Sequence, residues 1–102
     1  MRILMDQKEQ NFTLCTSFKK RFIGLMGKKN IQDIYVFPGC NGIHTFFMKE
    51  PIDVVLLKKD GTIIQKFHKV KPWRMILPKK EVYWTIELPQ NTLQEKELQF
   101  LL

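Results

Sequence analysis

Short apolar stretches, interrupted every few residues by polar or turn-forming residues, run along most of the chain. Alternating or branched apolar residues in stretches of this length are typical of β-strands. Because these stretches follow one another closely, the pattern predicts a sheet of many short strands. The predicted strands are residues 2–5, 12–16, 35–37, 43–48, 52–57, 62–70, 74–77, 82–88 and 98–102, and the first two form an opening hairpin.

The clearest turn lies between the predicted strands 52–57 and 62–70. The first of them is almost entirely branched and apolar, and Asp60-Gly61 stands between the two. Both central residues of a type I′ turn need a positive φ, which Asp and Gly tolerate. The pattern therefore predicts a β-hairpin closed by a type I′ turn.

One segment follows a helical period instead. Its apolar residues recur three and four positions apart, so they share one face of a helix. Thr16 or Ser17 can cap the start of this helix, and Gly27 can end it. The segment predicts one main helix over about residues 17–27. The apolar face consists of Phe18, Phe22, Leu25 and Met26.

A second helical signal lies near the end of the chain. Asn91, with Gln94 three residues later, resembles a capping box and predicts a short C-terminal helical turn. The whole pattern predicts a β-rich α+β fold, namely a compact barrel-like or sandwiched, mostly antiparallel sheet with one main helix. Residues 1–102 contain no linker or repeat, so we expect a single domain.

Charge is unevenly distributed along the chain. The net charge is +7, and residues 1–80 hold 16 basic and six acidic side chains, whereas 81–102 hold one and four. This field favours anionic partners, although it does not specify a function. The hydrophobic fraction of 44% and the charged fraction of 26% are those of an ordinary globular protein.

Apolar runs and cysteines predict the cellular location. No run approaches the roughly 20 apolar residues that span a bilayer, and the first residues are too few for a signal-peptide core. Cys15 and Cys40 lie in different segments and lack the density of a disulfide framework. Both observations predict a cytoplasmic protein with free thiols. The alternative is a disulfide between Cys15 and Cys40.

Several motifs follow one another in a characteristic order along the chain. They are RFIGLMG at 21–27, IHTFFM at 43–48, PIDVVLL at 51–57, DG at 60–61, KPWR at 71–74 and IELP at 86–89. Together these motifs resemble a known family, the bacterial and archaeal domain of unknown function 192 (DUF 192). The resemblance covers about residues 12–90 and implies a compact β-rich fold, with no agreed activity. The chain departs from the family pattern at Gln90-Asn91 and at residues 95–97.

Two polar residues stand inside apolar strands. His44 alternates with Phe46 and Met48, and Asp53 is the sole acid in the run 51–57. One reading makes them a base and its orienting carboxylate. The alternative is a structural role, with His44 hydrogen-bonded in the core and Asp53 accepting backbone N–H groups or binding a nearby Arg, because buried polar groups are normally hydrogen-bonded.

Metal and nucleophile signals are weak. Cys15, Cys40, His44 and His68 show no metal-binding spacing, so we expect no metal and no cofactor. Cys40 as a nucleophile with His44 as its base would need the two side chains to meet. The alternative is two ordinary buried thiols.

Basic and aromatic residues are interleaved over residues 66–84. Such a composition can combine phosphate attraction with base stacking. The alternative is that Trp73 and Arg74 close one end of the core, with the guanidinium on a ring or paired to Glu87.

The sequence therefore favours a non-catalytic module that binds a small ligand or a protein partner. The candidate binding residues are His44, Asp53, Trp73 and Arg74. No complete catalytic set is visible. Two alternatives remain: a hydrolase that uses His44 with Asp53 or Cys40, and a nucleic-acid-binding module that uses residues 66–84.

Overall fold

The structure, a computed structural model, describes residues 1–16, 31–39 and 42–102. The predicted helix over about 17–27 lies outside the described residues. Those residues contain ten strands and one short helix, which are β1 (Arg2–Met5), β2 (Lys8–Gln10), β3 (Thr13–Leu14), β4 (Tyr35–Pro38), β5 (Ile43–His44), β6 (Ile52–Leu57), β7 (Ile63–Val70), β8 (Met75–Ile76), β9 (Trp84–Pro89), α1 (Thr92–Glu95) and β10 (Leu98–Leu101).

The described strands form three sheets. The largest has five strands in the order β3-β4-β9-β6-β7, and the others are β10-β1-β2 and β5-β8. Every pairing is antiparallel except β3 with β4. The β-rich, mostly antiparallel fold and the short C-terminal helix are confirmed. A closed barrel is wrong, because β3 and β7 end the large sheet as separate edges and do not pair.

The centre of the fold is β6. All six of its residues are buried, which explains why all of them except Asp53 are apolar instead of alternating with polar residues. Ile52, Val54 and Leu56 pack into one apolar cluster, and Val55 and Leu57 pack into another. Both faces of the five-stranded sheet are therefore covered.

The opening hairpin differs from its prediction. β1 pairs with β2 instead of residues 12–16, through the two-residue loop Asp6-Gln7, and both loop residues have positive φ, 48° and 68°. Positive φ at both positions is what a type I′ turn requires. The Asp6 carboxylate and amide fix the loop, because Oδ1 accepts from Glu97 N at 2.9 Å and Asp6 N donates to Glu97 O at 2.8 Å.

The hairpin between β6 and β7 is confirmed, but its turn type is wrong. Gly61 has a φ of 93°, and its amide donates to Lys58 O at 3.0 Å while Lys58 N donates to Thr62 O at 2.9 Å. These bonds describe a four-residue turn over residues 58–61 that ends in a left-handed glycine bulge, which makes the loop one residue longer than a type I′ loop. Thr62 N donates to Asp60 Oδ1 at 2.9 Å, and this bond lowers the pKa of Asp60.

Within the part of the chain that the structure describes, no helix has the length and apolar character needed to cross a membrane.

Candidate functional site: an apolar ribbon on two joined loops

Thr45 joins two loops that are distant in sequence. β5 pairs with β8, with His44 opposite Met75, so the loop after β5 lies beside residues 71–74. The Thr45 hydroxyl donates to Lys71 O at 2.7 Å and accepts from Arg74 N at 2.9 Å. Thr45 N donates to Arg74 O at 2.8 Å, and Thr45 O accepts from Trp73 N at 3.0 Å. The two loops are therefore held as one unit.

Two aromatic residues on these loops have left-handed backbone conformations. The φ values are 64° at Phe47 and 63° at Trp73, which are unusual for bulky residues. The predicted strand 43–48 is therefore shorter than expected: β5 stops at His44, and Phe46 and Phe47 lie in a turn. Yet the ring of neither residue is buried, since Phe47 is 57% exposed and Trp73 is 55% exposed. Backbone strain of this kind clusters at binding sites.

The aromatic rings form a continuous row. His44 and Phe46 stack with centroids 4.9 Å apart, and Phe46 and Trp73 stack at 5.8 Å. The edge of Phe47 contacts Trp73 at 4.7 Å. Phe46 N donates to His44 Nδ1 at 3.1 Å, which fixes the orientation of the imidazole. Aromatic pairs prefer such offset and edge contacts.

Two aliphatic side chains extend the row. Met75, opposite His44, is 59% exposed, and Leu77 is 69% exposed. The other pair of this small sheet, Ile43 with Ile76, packs on the core instead. Sequence analysis did not single out Phe47, Met75 or Leu77. Side chains alternate between the two sides of a strand, so Met75 and Leu77 could have been placed on the side opposite Ile76. We call this row the apolar ribbon, and it consists of His44, Phe46, Phe47, Trp73, Met75 and Leu77.

The chain around the apolar ribbon is strongly basic. Residues 61–80 contain six Lys and Arg side chains and no Asp or Glu. All six are exposed. The Arg74 guanidinium lies 3.5 Å from Trp73 O, so one positive charge stands at the ribbon itself. The basic residues are Lys66, Lys69, Lys71, Arg74, Lys79 and Lys80.

Asp53 has a different environment. It is fully buried, with Oδ1 accepting from Lys69 N at 2.9 Å and Oδ2 accepting from Leu93 N at 2.8 Å. The carboxylate thereby links the end of β7 to the first turn of α1. The predicted cap residue, Asn91, has a φ of 71° and makes no side-chain cap bond. Asp53 therefore caps this helix from a distant strand.

The structure brings His44, Trp73 and Arg74 to one surface, while both Asp53 oxygens face backbone amides elsewhere. Cys40 lies outside the described residues, and Cys15 is buried. Among residues 1–16, 31–39 and 42–102, no three His, Cys, Asp or Glu side chains come together as a metal site. Cavities of about 650 and 430 Å³ occur, and neither is lined by ribbon residues.

Glu87, on β9, is a buried acid that sequence analysis considered only as a partner of Arg74. It is 4% exposed, whereas Arg74 is exposed. Within the described part of the chain, Glu87 Oε1 has no hydrogen-bond partner. Burial raises the pKa of this carboxyl to about 8. The suggested pair is therefore wrong.

Comparison with known families decides the relationship of the chain. The model of DUF192, described as "Uncharacterized ACR", matches residues 2–100. The chain belongs to this family. The match confirms the resemblance read from the motifs and extends it to both ends of the fold.

Archaeal relatives carry the name UPF0127 protein. The one from Thermococcus kodakarensis is 35% identical over 92 residues, which cover 84% of this chain and 58% of that protein. The one from Pyrococcus horikoshii is 33% identical over 97 residues, covering 90% and 84%. This chain thus spans little more than half of the Thermococcus relative.

Two solved structures share the fold. One is a Sinorhizobium meliloti protein described as a proposed transcription regulator, with a TM-score of 0.76 at 17% identity. The match covers 96% of this chain and 89% of that protein. The other, a Novosphingobium aromaticivorans protein of unknown function, has a TM-score of 0.75 at 12% identity, with coverages of 98% and 84%. At these identities the likeness shows the fold alone.

Proposed function

We propose that the protein is a non-catalytic module that binds a protein partner through the apolar ribbon. The observation that carries this proposal is the pair Phe47 and Trp73, which combine a left-handed backbone with rings that are more than half exposed. Exposed aromatic residues held rigidly are the usual anchors of protein interfaces. The hydrogen bonds of Thr45 supply that rigidity, so little ordering is needed on binding.

The charge around the apolar ribbon defines the partner further. Six basic side chains and no acid occur in residues 61–80, and all six are exposed. Electrostatic complementarity speeds encounter and rejects partners of like charge. The expected partner is an acidic protein surface with apolar side chains at its centre.

Other functions have less support. A hydrolase would need His44 with Asp53 or Cys40, yet both Asp53 oxygens accept backbone amides. A small ligand would favour a cavity that encloses most of its surface, whereas Phe47 and Trp73 of the ribbon are more than half exposed. Nucleic acid would stack its bases on free ring faces, whereas the Trp73 ring is already stacked on Phe46 and in edge contact with Phe47.

We keep two further expectations as part of this proposal. A cytoplasmic location is supported by the low cysteine content. A single domain over 1–102 is supported by β6, whose side chains enter both apolar clusters.

Selection from a displayed random peptide library, with the purified protein as bait, tests this function. We expect enrichment of peptides that combine Asp or Glu with large apolar residues. Binding of these peptides should fall at least about tenfold in the double variant Phe47→Asn, Trp73→Asn. Asn removes each ring yet tolerates a positive φ, so the backbone is kept. Leu14→Asn, at an exposed apolar residue on β3, is the matched control.

Two results would overturn the proposal. One is a selection that yields no peptide above the background of the bait-free resin. The other is a set of peptides that bind the double variant as well as they bind the wild type. Salt-sensitive binding of a single-stranded oligonucleotide that depends on both rings, without peptide binding, would assign the surface to nucleic acid instead.

A further inference from the structure

Among the strands that the structure describes, β7 lies at an edge of its sheet. It ends the five-stranded sheet, where β6 is its neighbour. With eight residues it is the longest described strand. No strand among residues 1–16, 31–39 and 42–102 pairs with its other side. The outward N–H and C=O groups of such an edge are a template for a further strand.

The regular part of β7 lies at its middle. Its pairing with β6 shifts register near both ends, between Ile52 and Val54 and between Leu56 and Leu57. Between these irregularities, Gln65, Lys66 and Phe67 pair without interruption. An added strand would therefore find continuous backbone geometry along the central part of the edge.

The charge of this edge selects its partner. Lys66, His68 and Lys69 are exposed, and residues 61–80 contain no acid. Lysine on an edge strand protects against pairing with a second copy of the same chain. The same positive charges attract an acidic strand, so one arrangement excludes self-association and favours an acidic partner.

The edge leads directly into the apolar ribbon. β7 ends at Val70, and Trp73 follows three residues later. A strand added antiparallel to β7 would have its N-terminal end at Trp73 and Phe47. Antiparallel pairing is also the more stable arrangement.

We infer that the partner presents an extended acidic segment that adds to β7 as an antiparallel strand and places an N-terminal apolar side chain on the ribbon. This inference rests on the proposed function. Backbone hydrogen bonds would supply affinity, while the lysines and the rings would supply specificity.

A synthetic peptide tests the inference. It begins with phenylalanine and continues with alternating valine and glutamate over eight residues, and its affinity is measured by fluorescence anisotropy. Two further versions carry N-methyl groups on all valines or on all glutamates. Successive N–H groups of a strand point to opposite edges, so all valine N–H groups face one edge and all glutamate N–H groups face the other. One methylated version should therefore bind at least about tenfold more weakly, and the other should bind like the parent.

Two protein measurements accompany the peptides. Lys66→Glu should weaken binding of the parent peptide. Lys8→Glu, on the exposed strand β2 of another sheet, should weaken it less. Amide hydrogen exchange within residues 63–70 should slow when the parent peptide binds.

The outcomes separate the inference from the proposed function. Equal binding of all three peptides, with loss in the Phe47→Asn, Trp73→Asn variant, would overturn strand addition and leave the ribbon as the contact surface. Binding that depends on the methylation pattern but is unaffected by loss of the two rings would retain strand addition and overturn the ribbon. No binding of the parent peptide would overturn the inference, while the library selection tests the ribbon independently.

Discussion

Replacing Glu87 with glutamine should remove a pH dependence from the stability of the protein. Glu87 is only 4% exposed, and burial raises the pKa of its carboxyl from 4.5 to about 8, because an ionised carboxylate loses its hydration there. At neutral pH the folded protein therefore holds Glu87 protonated. In the unfolded chain the same carboxyl is ionised.

The sign of the effect follows from the protons bound in each state. Between the unfolded pKa of 4.5 and the folded pKa of about 8, the folded state binds one more proton than the unfolded state. The free energy of unfolding then falls as pH rises, by about 1.4 kcal/mol per pH unit. Between pH 5 and pH 7 this amounts to about 2 to 3 kcal/mol. The contribution is complete below the unfolded pKa and is lost as pH approaches the folded one.

Urea unfolding of the wild type and of Glu87→Gln at pH 5, 6 and 7 measures this effect. Glutamine has nearly the same shape and no charge, so the difference between the two proteins should grow in favour of the variant as pH rises. Glu81→Gln, at an exposed acid, controls for loss of a charge on the surface. A difference that stays constant over this range would refute the reasoning.

Three further changes test the contacts that build the site. Asp53→Asn replaces one of two acceptor oxygens with a donor that faces a backbone amide, and should lower the free energy of unfolding by about 2 to 3 kcal/mol in urea titration. Asp33→Asn, which changes an exposed acid, is the control. A loss no larger than that of the control would contradict the capping role. Thr45→Val removes the hydroxyl between the two loops and should lower the free energy of unfolding by about 1 to 2 kcal/mol. The same change should increase acrylamide quenching of Trp73 fluorescence, measured in a Trp84→Phe background so that Trp73 is the single tryptophan. Unchanged quenching would show that the loops hold together without it. Gly61→Ala places a Cβ at a φ of 93°, and should cost about 1 kcal/mol by the same titration, whereas an unchanged midpoint would mean that the turn relaxes to another conformation.

Local patterns were informative where one residue decides a conformation. The run 52–57 predicted a strand and Asp60-Gly61 predicted its hairpin, because apolar branched side chains and tolerance of positive φ are properties of the residues themselves. The turn type was wrong since only Gly61 of the pair takes a positive φ. Likewise, Asp6-Gln7 forms the two-residue turn without a glycine, because bonds to the distant Glu97 fix it.

The sequence by itself determined the family, the β-rich fold, the central strand and the basic character of residues 61–80. These follow from local composition and from ordered motifs. Only the tertiary structure decided which polar residues share a surface. Thr45 bonds the backbone at Lys71 and Arg74, 26 and 29 residues away, and Asp53 caps an amide 40 residues away. Such pairings depend on which strands become neighbours, and so does the exposure of Phe47 and Trp73. No local pattern could therefore place His44 with the rings and Asp53 with the helix.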